Sequence, residues 1–93
     1  MPDESARQLL LYEYVEDMAN RRGPYREAHL ERIHAEKAVG RVTLAGALGD
    51  PASGGAIVFK GVDRAHVEAF VDDDPYVQAG RVASWRIEPW KLV

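Results

Sequence analysis

The chain contains no cysteine, which excludes disulfides, thiolate nucleophiles and cysteine-based zinc sites. That composition fits a cytosolic protein. Long apolar runs are also missing. In the first half the longest uninterrupted one is Leu9-Leu10-Leu11-Tyr12, far short of the roughly 20 residues that span a bilayer. The opening Met1-Pro2-Asp3-Glu4-Ser5-Ala6-Arg7-Gln8 is polar and acidic, without a basic start before an apolar stretch. No targeting segment and no membrane partner are therefore expected, and the expected location is cytoplasmic. Basic charge is not in excess: twelve Lys and Arg stand against fifteen Asp and Glu, a formal net charge of −3. Such a chain has no global attraction for phosphate backbones, so nucleic acid is not an expected partner.

What is present is the balance of a soluble globule, 46% hydrophobic and 29% charged over 93 residues. That length suits one domain spanning 1–93, with residues 1–7 as a polar amino-terminal extension. Residues 8–15, aromatic and apolar on both faces and too short for a core helix, read as a first strand. Gly23-Pro24 is a stop followed by a start, because proline is tolerated where a helix begins. Residues 24–38 are then rich in helix formers. Arg26, His29 or Leu30, Ile33 and Lys37 recur at helical spacing, with Leu30 and Ile33 as apolar anchors; Glu27, Glu31 and His34 lie on another side. Gly40 caps this helix. Strands follow at 41–47 and 56–60, joined through the turn-rich 49–55. Asp63 caps a second helix over 64–72, with Val62 and Val67 as a hydrophobic staple. Asp74-Pro75 ends it, residues 76–80 connect, and 82–88 form a last strand.

The order β-α-β-β-α-β in so short a chain predicts an α+β fold of the ferredoxin-like kind, a four-stranded antiparallel sheet with two helices on one face. The other face then needs a cover. Tyr12, Tyr14, Phe59, Trp85 and Trp90 are more aromatic area than a solvated sheet face exposes, and pairing of two sheets in a homodimer would bury it.

Two positions invite chemistry. His29 shares the apolar helix face with Leu30 and Ile33, and Arg26 lies one turn earlier. A histidine there can act as general acid or base. It can equally be a partly buried histidine bonded to a backbone carbonyl, and spacing alone favours that second role. Asp74 closes the run Asp72-Asp73-Asp74, placed where the helix dipole prefers cations. Asp72 and Asp73 read as a solvated acidic turn. Asp74 differs because Pro75 fixes its backbone, so it is a candidate for orienting a histidine or polarising a hydroxyl.

Other signals are weaker. His29 and His34 are separated by about 140° around the helix and do not face one ligand. His66 is expected to be exposed. No metal constellation and no phosphate loop are apparent, and no motif calls for a cofactor. Arg21, Arg22, Arg26 and Arg32 form a basic patch, solvated or paired with Glu27, Glu31 and Glu36, with anion binding by Arg26 as the sharper alternative.

Arg26-Glu27-Ala28-His29-Leu30, Ala45-Gly46-Ala47-Leu48-Gly49-Asp50, Gly55, Asp74-Pro75-Tyr76, Ala79-Gly80 and Ile87, Pro89 and Trp90 together resemble the YCII-related family. The similarity runs from about residue 9 to the carboxyl end and rests on the ordered combination R-x-x-H-L, A-G, D-P-Y and A-G. It implies a dimeric α+β barrel, two sheets packed face to face. It also implies a pocket between helices and sheet, with His29 and Asp74 as an active-site dyad and Arg26 and Tyr76 as substrate-binding neighbours. The chain departs from the family in its polar extension and its Gly23-Pro24 helix start.

Two functions are carried forward. One is a cofactor-independent lyase or isomerase that moves a proton on a small cyclic, phenolic or lactone-like substrate. The other is a non-catalytic small-ligand binder or dimeric accessory protein. A hydrogen-bonded His29–Asp74 pair beside an open cavity favours the first; a sealed pair without a cavity favours the second.

Overall fold

Strand β1 (Ala6–Tyr14) is apolar on both faces because it runs through the middle of the sheet. The computed structural model describes residues 4–93, so part of the expected 1–7 extension, residues 1–3, lies outside the described residues. After β1 come α1 (Met18–Arg21), α2 (Gly23–Ala38), β2 (Val42–Leu48), β3 (Gly54–Phe59), α3 (Arg64–Asp72), α4 (Pro75–Gln78) and β4 (Val82–Lys91). The four strands form one sheet in the order β2-β3-β1-β4, and every pairing is antiparallel. This is the expected α+β, ferredoxin-like arrangement.

Register decides which side chains meet the helices. Leu10 stands opposite Ile57 and Ile87, and Tyr12 opposite Gly55 and Trp85. Directly opposed residues share a face. On that face Leu10, Tyr12, Ile57, Phe59 and Ile87 pack with Ile33 of α2 and Val67, Phe70 and Val71 of α3 to make the core. The opposite parity carries Leu9, Leu11, Ala56 and Val58, with Leu44, Leu48 and Trp90 exposed. The expected aromatic excess on the outer face is therefore corrected. Tyr12 and Phe59 are buried under the helices, Tyr14 packs against the same core, and register puts Trp85 beside Tyr12. Leucine, more than aromatic area, marks the uncovered face.

The helix signals act as read, with additions. Asp63 accepts from the His66 N–H at 3.0 Å and starts α3. Gly40, with φ of 80°, follows the end of α2, where a side chain would be strained. Helix α1 has no counterpart in the sequence reading. It buries Met18 and runs almost directly into α2, whose N-cap is Arg22. Strand β4 extends past Pro89 because it is an edge strand, where a missing N–H breaks no ladder. No helix among the described residues is long and apolar enough to cross a membrane.

Candidate active site

The acidic run divides as its backbone does. Asp72 and Asp73 are exposed, whereas Asp74 is fully buried. Its position corrects the helix-dipole argument. Asp74 is the N-cap of α4, a short helix inside the segment expected to be a plain connection. Its extended backbone, the following Pro75 and the hydrogen bond from the Tyr76 N–H to Oδ1 at 2.9 Å make a favourable capping arrangement.

That cap delivers the carboxylate to His29, which α2 presents toward the sheet and which is also buried. Nδ1 of His29 lies 2.8 Å from Oδ1 and 3.0 Å from Oδ2. The Tyr12 hydroxyl donates to Oδ2 at 2.7 Å. The carboxylate thus receives three donors: imidazole, phenol and backbone amide. An ionised carboxylate only accepts, so a neutral imidazole pairs with it through Nδ1–H and leaves the Nε2 lone pair free. Nε2 makes no hydrogen bond to any described residue.

Aromatic rings hold the imidazole in place. The Tyr76 ring stacks on it with centroids 3.9 Å apart and planes 14° from parallel. Tyr14 meets Tyr76 edge-on at 5.9 Å. Burial first, then the Asp74 charge and the hydrogen bond to it, raise the Tyr12 phenol well above its ordinary value, so it stays a donor. Burial, followed by the neighbouring Tyr76 and Asp74, pushes Tyr14 up to about 12. Burial also raises Tyr76, against the opposing pull of Arg22 and Arg26. Gly55 is needed beneath them: a Cβ there would sit 2.7 Å from the Tyr14 hydroxyl oxygen.

These groups border a cavity of about 190 Å³ between α2 and the sheet. Tyr12, Tyr14, Tyr76 and His29 line one part, and Leu30, Ile33 and Ile57 give it apolar wall. Ala45, Gly46, Ala47 and Gly55 leave the room, because their side chains are small or absent. Arg22, Arg26 and Lys37 supply positive charge. All four residues expected at the site are therefore close together: His29 and Asp74 in contact, Arg26 and Tyr76 on the cavity wall.

Tyr12 and Tyr14 were not among the expected site residues. They belong to β1, and only the register shows that their parity faces the helices. His34 also borders the cavity, despite its angular separation from His29. The basic patch differs from expectation as well. Arg32 bonds the Phe70 carbonyl at 2.8 Å and lies over its ring, and Arg21 bonds the Glu16 carbonyl. Glu36 takes Arg41 and His66 as its partners. His66 is half-buried rather than exposed. Among the described residues no cluster of three or more His, Asp or Glu is arranged to hold a metal ion.

Comparison with known proteins bears on the family and the fold. The YCII-related domain profile matches residues 6–91. Among solved structures, the fold is similar to 5-chloro-2-hydroxyhydroquinone dehydrochlorinase from Burkholderia phenoliruptrix AC1100 in complex with 2,5-dihydroxybenzoquinone. The TM-score is 0.78 at 22% identity, covering 91% of this chain and 93% of that one. No curated protein matches the chain.

Proposed function

The chain belongs to the YCII-related domain family, and on that premise we propose that it is a cofactor-independent small-molecule enzyme of lyase or isomerase type. Nε2 of His29 takes a proton from a small cyclic, phenolic or lactone-like substrate bound in the cavity. The imidazolium so formed is stabilised through Nδ1–H by the Asp74 carboxylate, which also holds the tautomer. The proton then returns to another atom of the substrate or of its leaving group. Arg26 attracts an anionic part of the substrate, and Tyr76 packs the imidazole and borders the ligand.

The observation that carries this reading is the 2.8 Å His29–Asp74 bond beside an open cavity. A sealed pair would suit packing alone. The ring compound bound by the structural relative supports a cyclic substrate. The test is turnover of a panel of chlorinated dihydroxyphenols and lactones. His29→Ala is expected to lower kcat/KM on an accepted substrate by about 10²–10⁴-fold. Unchanged turnover would end the catalytic reading.

The proposal includes a homodimer formed through the sheet faces. Leu44, Leu48 and Trp90 are 68%, 46% and 44% exposed on the side away from the core. A second sheet would cover them.

A further inference from the structure

Most Lys and Arg side chains among the described residues are already engaged. Arg41, Lys60, Arg64 and Arg86 make ion pairs. Arg7, Arg21, Arg32 and Arg81 bond backbone carbonyls, and Lys91 also has a partner. Among the described residues, Arg22, Arg26 and Lys37 find no side-chain hydrogen-bond, ion-pair or ring partner, and all three line the same cavity. None of the described residues lining that cavity is acidic, the buried Asp74 lying behind His29 and Tyr12, in a chain whose formal net charge is −3. The positive wall is thus a local arrangement, not a reflection of the whole molecule.

Helical spacing ranks the three. Arg22 and Arg26 are one turn apart, and His29 is the next turn after Arg26. Lys37 lies about 16 Å further along the axis than Arg26, too far for a ring-sized ligand to bridge both directly. At the Tyr76 phenol, which lies beside the imidazole, burial is the largest influence, and the Arg22 and Arg26 charges are felt ahead of the opposing Asp74 charge. A negative group seated between these arginines would place the adjoining ring near Nε2 of His29. Lys37 adds attraction from the far end.

We propose that the cavity selects a small cyclic organic anion whose negative group is held by Arg22 and Arg26. The inference rests on the catalytic reading only for what happens after binding. An anion desolvated on its ring side gains from two charge-assisted donors, whereas a neutral ring of the same shape leaves both cations without a partner.

The test uses a matched pair, 2-hydroxybenzoate and 2-hydroxybenzamide, titrated while the His29 and Tyr76 resonances are followed. The benzoate is expected to bind about tenfold or more tightly at low salt, with the advantage shrinking as salt screens the pair. Arg22→Gln/Arg26→Gln should erase the preference, while Lys37→Gln trims it only slightly. Arg26 and Lys37 are exposed and Arg22 is half-buried, and melting curves check that the variants fold. Equal affinity for the two compounds overturns the proposal. So does a preference that survives the double substitution, or displacement of the benzoate by equimolar sulfate. So does the absence of any shift with either compound at millimolar concentration. His29→Asn separates this proposal from the catalytic one. If it abolishes turnover where no anion preference exists, only the anion proposal falls. If the preference is intact and turnover does not change, only the catalytic reading falls.

Discussion

At the scale of residues, the decisive group is the Asp74 carboxylate, buried with three donors around it. Each donor matters because a buried acceptor left unsatisfied costs about 1–3 kcal/mol. Asp74→Asn is the informative substitution. The amide keeps the shape but replaces one acceptor oxygen with a donor. Facing a phenol, a backbone N–H and an imidazole N–H, it favours the tautomer with the proton on Nε2, which removes the base. Activity is expected to fall about 10²–10⁴-fold, with a melting temperature still measurable by calorimetry; activity within twofold of the parent would refute the tautomer argument. Tyr12→Phe should be milder in activity but should destabilise by about 1–3 kcal/mol in urea unfolding, because Oδ2 loses its phenol. Sequence patterns pointed to His29 and Asp74 separately. The spacing of His29 along α2 showed an inward-facing ring, and Pro75 singled Asp74 out from its neighbours. Their pairing was implied by the family resemblance alone and not by spacing, since it joins residues 45 positions apart that no periodicity links.

At the scale of elements, α2 and α3 are joined by a second histidine–carboxylate contact, between residues that do not line the cavity. His66 of α3 bonds Glu36 of α2 at 3.1 Å, and Arg41 bonds the other Glu36 oxygen. Burial pushes the Glu36 carboxyl up, but the hydrogen bonds and charges of Arg41 and His66 outweigh it and hold the group below its ordinary 4.5. A carboxyl depressed in the folded state stabilises above its unfolded pKa, and that contribution is lost as pH falls through the lower folded value. Stability of the parent should therefore drop below about pH 4.5. Glu36→Gln should show a lower plateau at neutral pH and a shallower acid decline in denaturant titrations. Parallel acid profiles would refute this linkage. The long elements were readable because Asp63, Gly40 and Gly23-Pro24 are strong local punctuation. Helix α4 was not, because Asp74-Pro75 ends one helix and begins another with the same two residues.

At the scale of the whole molecule, the question is what covers the outer sheet face. Leu9, Leu11, Leu44, Leu48 and Trp90 share it by register. A stable pairing buries roughly 1,200–2,000 Å² in total, and a four-stranded sheet can supply that area. Sedimentation velocity at micromolar concentration is expected to show a dimer. Leu44→Lys/Leu48→Lys should shift it to monomer while far-ultraviolet circular dichroism is retained. A monomeric parent at that concentration would undo the sheet-to-sheet proposal.

By itself the sequence determined the order of the four strands and two long helices, the α+β class and the inward face of α2, because those follow from local periodicity and capping chemistry. It also exposed the lack of cysteine and of basic excess, which closed off whole classes of chemistry. Only the tertiary structure decided strand register. Register turned Tyr12 and Tyr14 inward, left leucines on the outer face, and set the small residues of β2 and β3 opposite the cationic stripe of α2. It also decided that Asp74 reaches His29. A carboxylate on one helix and an imidazole on another become a pair only when the two helices pack against each other on the same sheet.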